Sequence, residues 1–266
     1  MATVPISETR RWSWRSVVFT LLVAFFGLQS FIIGIFVIAP SPWRPETLPE
    51  HIAPWHAAQS AAVVGLLTGA LLLAGLWHPE RKPALFQLFA FNMIQGVIIA
   101  LLRINVLGFE LFGWLMFALS ALILALYPRP RALWSLVGEG PASKSLFVLA
   151  ASVGLLLIPD ILRHLQWQLA GIGGEQLRRF FWLQTIGVDI TLILSGLLVA
   201  RKRPGWRILG LLLGTAYLYL GVVAMTIPNE SGSWGMIGGA LAVLAGISYW
   251  ALTLWEPRYQ SPGSVE

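Results

Sequence analysis

The chain of 266 residues is 57% hydrophobic and only 11% charged, with a mean hydropathy of +0.74. Ordinary soluble domains carry about 25% charged residues, so the composition excludes that class. A net charge of +6 does not signal nucleic acid, because the basic residues stand in short gaps between apolar runs rather than on one polar face. Cysteine is absent, which removes disulfides, thiolate metal sites, Cys nucleophiles and c-type haem attachment together.

At the N-terminus Arg10, Arg11 and Arg15 precede the apolar run 17–39. A cleavable signal peptide has a shorter core and a small-residue cleavage site. This run leads instead into SPWRPE, so it reads as an uncleaved first span. A helix needs about 20 mostly apolar residues, at 1.5 Å each, to cross about 30 Å of hydrocarbon. Segments 17–39, 56–77, 84–103, 109–127, 145–165, 180–200, 207–227 and 234–255 meet that requirement. In the fifth, the apolar run 145–158 is too short alone, so the helix must continue through Pro159 into DILRHL. The expected fold is all-α: one transmembrane domain over residues 1–266, a polytopic integral membrane bundle of eight transmembrane helices.

Charge sets the expected orientation. Arg10, Arg11, Arg15, the pair Arg81–Lys82, Arg129, Arg131, Lys144 and the cluster 201–207 fall on one side of the membrane. Only Arg44, Arg103, Arg163, Arg178 and Arg179 fall on the other. The positive-inside rule then puts both termini in the cytoplasm, and the setting is a bacterial plasma (inner) membrane. Trp12, Trp14, Trp55, Trp77, Trp182, Trp206, Trp234 and Trp255 fall near span ends, where an interfacial belt is expected.

The halves echo one another. WHAAQSAAVVGLL (55–67) lies on FWLQTIGVDITLI (181–193), ERKP (80–83) on RKRP (201–204), and GWLMFALSALILAL (113–126) on SWGMIGGALAVLAG (233–246). This suggests two parallel four-helix repeats, 12–128 and 142–258, related about an axis along the membrane normal. Gly65-x-x-x-Gly69, Gly210-x-x-x-Gly214 and Gly235-x-x-x-Gly239 suit close helix contact, either within one chain or in a homo-oligomer.

Polar side chains at depth carry the functional argument. Asp189 falls mid-way along the sixth span, where a carboxylate costs about 2.5–3.5 kcal/mol or more and faces a bundle interior or wet cavity. Thr185 shares its face one turn earlier. On the third span, Asn92, Gln95 and Arg103 fall on one stripe and are the expected partner surface for Asp189. His56 and Gln59 open the second span on one face. Asp160, Arg163 and His164 close the fifth at i, i+3, i+4, and Gln184 begins the sixth. Placed by depth, His56, Gln59, Arg103, Asp160, His164 and Gln184 belong to the outer half or rim, with Asn92, Gln95 and Asp189 at the midplane. The expectation is a cavity open to the outside with Asp189 as its floor.

Each residue also has a plain reading: Asp189 as protonated interhelical glue, Arg103 as a snorkelling cation, Asp160–Arg163 as a rim ion pair. No P-loop, dinucleotide fingerprint, HExxH or GxSxG motif is present, and no lysine falls within a span to form a Schiff base. No catalytic residue is assigned. His56 and His164 are the candidate metal or haem ligands, Asp160 being the carboxylate that would join a metal.

Two classes of function follow. The first is a transporter or binding protein for a small molecule or ion, embedded in the lipid bilayer, with Asp189 as coupling group, Asn92, Gln95, Gln59 and Gln184 lining the site, and Arg103 and Asp160 near the entrance. The second is a haem- or quinone-binding subunit or assembly factor without transport activity. An enzyme acting on lipid headgroups through Asp160, His164 and His56 is a third arrangement for which no motif speaks.

Overall fold

The computed structural model describes residues 13–48, 52–107, 111–135, 141–172 and 181–256, excepting the side chains of 103–107 and 111–113. Every regular element among them is helical. Eight apolar helices follow in order: α1 (Trp14–Ile32), α2 (Pro54–Gly75), α3 (Pro83–Leu107), α4 (Leu111–Leu126), α5 (Lys144–Leu169), α6 (Phe181–Ala200), α7 (Trp206–Thr226) and α8 (Gly235–Trp255). Seven of them are long and apolar enough to cross a membrane. The exception is α4, whose 16 residues reach about 24 Å at 1.5 Å each. The fold is therefore all-α, a polytopic membrane helix bundle with seven long apolar helices and one shorter one.

Local chemistry sets the helix starts. Ser13 caps α1 by accepting from the Ser16 amide, and Ser143 caps α5 by accepting from Leu146 N at 3.2 Å. Pro54 occupies the first turn of α2, where its missing N–H costs nothing. Gly205 precedes α7 at φ 92°, a backbone shape that only glycine adopts without strain. α5 runs unbroken through Pro159 to Leu169. α1 and α2 both widen into π-helical turns, Ile33–Ile38 and Ala61–Ala70, which pack on each other. There Gly34 and Gly65 meet so closely that a Cβ on Gly34 would collide with Gly65 Cα, and one on Gly65 would press on the Ile35 side chain.

α7 pairs most extensively with α8, and α5 with α6. α2 and α6 are the most enclosed helices. The outer surface is apolar: Phe25 and Phe36 on α1, Leu155 on α5, and Ile237 and Leu244 on α8 are all exposed. Such a continuous greasy rim suits lipid rather than water. The small-residue stripes are used inside this chain. Gly69 packs on α1, Gly210 and Gly214 on α8, and Gly239 on α7.

One expectation about span ends is corrected. Trp14, Trp77 and Trp255 are exposed at 70%, 76% and 88%, as belt residues are, but Trp55 and Trp182 are 0% and 1% exposed. These two indoles pack inward against histidines and another tryptophan, so they are core rather than interface; Trp12 lies outside the described residues. Arg203, of the basic cluster 201–207, is 2% exposed. It donates to Gln87 Oε1 and to the Ala132 carbonyl, tying the α6–α7 turn to α3 and to the short helix Pro130–Trp134.

Candidate functional site

The polar side chains gather at the end of the bundle opposite the start of α1, called distal below. α2 and α6 both begin there, α5 ends there, and Trp234 precedes α8 there. At 1.5 Å per residue, Asp189 lies about 12 Å from the distal start of α6, and Asp160 about 14 Å from the distal end of α5. The two carboxyls therefore share one depth, in the distal half of α5 and of α6.

Asp160, His164 and Asp189 bring donor atoms within 4.8 Å of one another, all buried. Helix geometry explains the first pair, since Asp160 and His164 are i, i+4 on α5, with His164 Nδ1 3.4 Å from Asp160 Oδ2. Close packing of α5 on α6 supplies the third member. Asp160 is held from outside as well: Arg163 donates to its Oδ1, and Trp234 Nε1 donates to its Oδ2 at 3.2 Å. Arg163 also lies over the Trp167 ring at 5.2 Å. Asp189 and His164 are 0% exposed, and neither oxygen of Asp189 nor either ring nitrogen of His164 has a hydrogen-bond partner. Two carboxylates this close, at this depth, call for a proton or a cation between them.

An aromatic wall encloses the group on its distal side. His164 stacks on Trp182 at 5.3 Å and meets Trp167 edge-on at 5.3 Å. His56 packs on Phe181 at 4.9 Å and Trp182 at 5.6 Å, while Trp55 meets Trp234 at 5.2 Å. Thr185 joins α6 to α2 by donating to Gln59 Oε1 at 3.0 Å, with His56 Nε2 3.3 Å away. Haem ligation by His56 and His164 would need a flat slot between their nitrogens; what lies against both rings is Trp182.

A cleft of about 300 Å³ opens beside Asp160 between α5, α7 and α8. Asp160 and Arg163 supply its charged groups, while Val153, Leu157, Tyr217 and Ala245 line its apolar walls. Its lips, Leu156 and Leu241, are exposed. Asp189 is not among its lining residues; the cleft reaches Asp160, whose carboxylate lies within 4.8 Å of that of Asp189.

The stripe on α3 sits elsewhere. Asn92 accepts from Thr191 Oγ1 at 2.9 Å and lines a second cavity of about 310 Å³ with Gln29, Ser30 and Thr68. Gln95, half-buried, lies against Gly187, where a side chain would collide with its amide. The structure thus places α5, not α3, against the Asp189 carboxyl. Gln184 is half-buried, one residue before Thr185. The side chain of Arg103 lies outside the described residues. Sequence reasoning missed the aromatic residues of the centre, Trp55, Trp167, Trp182, Trp234 and Tyr217. Their signal was available in part, since Trp55, Trp182 and Trp234 each neighbour a polar residue of the site in sequence or fold.

No family model matches the chain, and neither a curated protein nor a solved structure does.

Proposed function

We propose that the protein is a transporter or binding protein for an ion or small polar molecule, and that Asp160, His164 and Asp189 form the centre that holds it. The multi-pass helix bundle is of a kind suited to transport or binding. The observation that carries the finer reading is the convergence of two carboxylates and an imidazole from two helices on one buried spot. Ionisable groups at such depth are costly and mark ion, proton or substrate paths by default. Asp189 is the coupling group and Asp160 the contact with the entrance, which is the cleft between α5, α7 and α8. Gln59 and His56, held through Thr185, form the distal wall. Asn92, Gln95, Gln184 and Arg103 are candidates for the path beyond it.

The same reading takes α4 as an eighth crossing and puts both termini on the cytoplasmic face of a bacterial inner membrane. In support, the basic residues Lys82, Arg129, Lys144, Arg201, Lys202 and Arg207 all lie at the end of the bundle where α1 begins. A duplication of four helices is supported by the packing of α1 on α2 and of α5 on α6 as corresponding pairs.

The test is proton movement in proteoliposomes holding the full chain, followed with an entrapped pH dye under an imposed potential. Wild-type protein is expected to move protons faster than empty liposomes, and Asp189→Asn to reduce the rate to the empty-liposome level. Equal rates for wild type and Asp189→Asn overturn the transport reading.

A further inference from the structure

We infer that the centre formed by Asp160, His164 and Asp189 is a site for a divalent transition-metal ion, bound by one oxygen of each carboxylate and one imidazole nitrogen. This rests on the reading of that centre as the ligand site and names its class of ligand.

The unpaired atoms decide between a metal ion and a proton. A proton shared by Asp160 and Asp189 uses one oxygen of each and leaves the imidazole only its 3.4 Å contact with Asp160 Oδ2. His164 Nε2 and both oxygens of Asp189 have no hydrogen-bond partner, on residues that are 0% exposed. Such groups are expensive to leave bare. A single divalent ion engages a donor from each of the three side chains at once.

The geometry is close to what an ion requires. Ligand atoms around a tetrahedral metal at about 2.0–2.2 Å lie about 3.3–3.6 Å apart. His164 Nδ1 and Asp160 Oδ2 are already 3.4 Å apart. Since no separation in the trio exceeds 4.8 Å, the Asp189 carboxyl need move inward by only about 1 Å to reach the spacing of a bound ion. The i, i+4 spacing of Asp160 and His164 presents two ligands on one helix face, as two histidines do in helical zinc sites. Arg163 does not compete for the same atom, because its bond is to Oδ1. It is 41% exposed on its side chain, so its charge is screened at the rim.

Donor chemistry narrows the ion. One imidazole with two carboxylates suits the borderline first-row metals, Mn²⁺ through Zn²⁺, better than Mg²⁺ or Ca²⁺, which prefer oxygen alone. Three protein donors leave a coordination position open, as in sites that exchange their cargo or a water. Cobalt is the apt probe. The chain has no cysteine, so a visible Co²⁺ spectrum reports nitrogen and oxygen ligation without thiolate bands.

The experiment titrates tag-free, chelator-treated full-length protein in detergent micelles with CoCl₂. The expected result is a site saturating at one equivalent, with visible d–d absorption that Zn²⁺ abolishes by displacement. Asp189→Asn and His164→Gln are each expected to weaken binding at least tenfold, and His78→Gln, in the α2–α3 turn at the opposite end of the bundle, to leave it unchanged. Helical circular dichroism and a monodisperse elution profile check that each variant folds. Absence of a one-equivalent site in folded wild-type protein overturns the assignment, as does a site indifferent to both ligand variants. The two readings fail separately. If Asp189→Asn stops proton movement while wild-type protein takes up no Co²⁺, the metal site falls and the transport reading stands. If Co²⁺ binds at one equivalent and proton movement ignores Asp189→Asn, the reverse holds.

Discussion

Thr185 on α6 stands between His56 and Gln59 of α2, donating its hydroxyl proton to Gln59 Oε1 at 3.0 Å, with His56 Nε2 at 3.3 Å. The Phe181 carbonyl is a second acceptor for the same hydroxyl at 3.2 Å, so its one proton serves two carbonyl oxygens and His56 Nε2 is the neighbour placed to donate to Oγ1. All three residues are buried. Thr185→Val keeps the shape but strands two buried polar groups, at a cost of about 1–3 kcal/mol. Thermal unfolding in micelles is expected to show that loss for Thr185→Val and little change for Thr185→Ser. Equal stability of the Val variant and wild type would refute the bridge.

Asp189 and Asp160 should behave in the opposite sense. Two buried carboxylates within 4.8 Å oppose folding in metal-free protein, through desolvation and mutual repulsion. Asp189→Asn removes the ionisable group at constant shape and supplies an amide N–H for Asp160. The metal-free variant is expected to be more stable than wild type by about 1–3 kcal/mol, while losing its ligand. A lower unfolding temperature for Asp189→Asn would show that the carboxyl is structural glue.

Asp189 shows where sequence was informative and where it stopped. Its depth follows from counting residues along one apolar run, and so do the helical class and the approximate spans. Its neighbours do not, because helix-to-helix contact depends on how eight cylinders are arranged around one another. The polar stripe on α3 looked like the natural partner, yet Asn92 bonds Thr191, two residues beyond Asp189 and on the opposite side of α6. Asp160 and His164 reach the carboxyl from α5 instead. Tryptophans misled for a related reason. Trp55 and Trp182 sit at span ends like Trp77, and hydropathy does not distinguish an indole at the headgroups from one folded over a buried histidine. The centre itself was legible only as separate residues. His56, Gln59, Asp160, His164 and Asp189 all stood out as polar groups in apolar runs.

The α7–α8 contact carries a packing prediction. At Gly221 and Gly239, a Cβ on either glycine would lie 2.6–2.7 Å from the other's carbonyl oxygen, and one on Gly246 would lie 2.7 Å from Gly214 O. Backbones this close gain dispersion and weak Cα–H···O contacts. A side chain would hit backbone rather than a flexible tip, so relief requires the helices to separate. Gly239→Val is expected to cost about 1–3 kcal/mol or more in detergent unfolding, with Gly154→Ala on α5, whose added methyl would meet only Ile193 at an ordinary 3.8 Å, as the milder comparison. Unchanged stability in Gly239→Val would mean that α7 and α8 do not meet along this line.

Glu256, just beyond α8, gives the pH prediction. Its carboxyl accepts from Lys202 Nζ at 2.5 Å and from Ser143 Oγ, joining the end of α8 to the α6–α7 turn and the α5 cap. The Lys202 hydrogen bond, then that of Ser143, holds the carboxyl below its ordinary value of 4.5. A group with a lowered folded-state pKa stabilises fully above its unfolded value and loses that contribution as pH falls through the folded value. The bond is therefore intact at pH 7 and fades on the acid side of about 4.5. The pair lies at the edge of the bundle with its side chains 16% and 17% exposed, and contributes about 1 kcal/mol. Glu256→Gln is expected to lower the unfolding temperature slightly at pH 7, with the gap from wild type closing as pH is taken below 4.5. A gap that stays constant down to the acid limit would assign the effect to packing at the end of α8 rather than to the carboxylate.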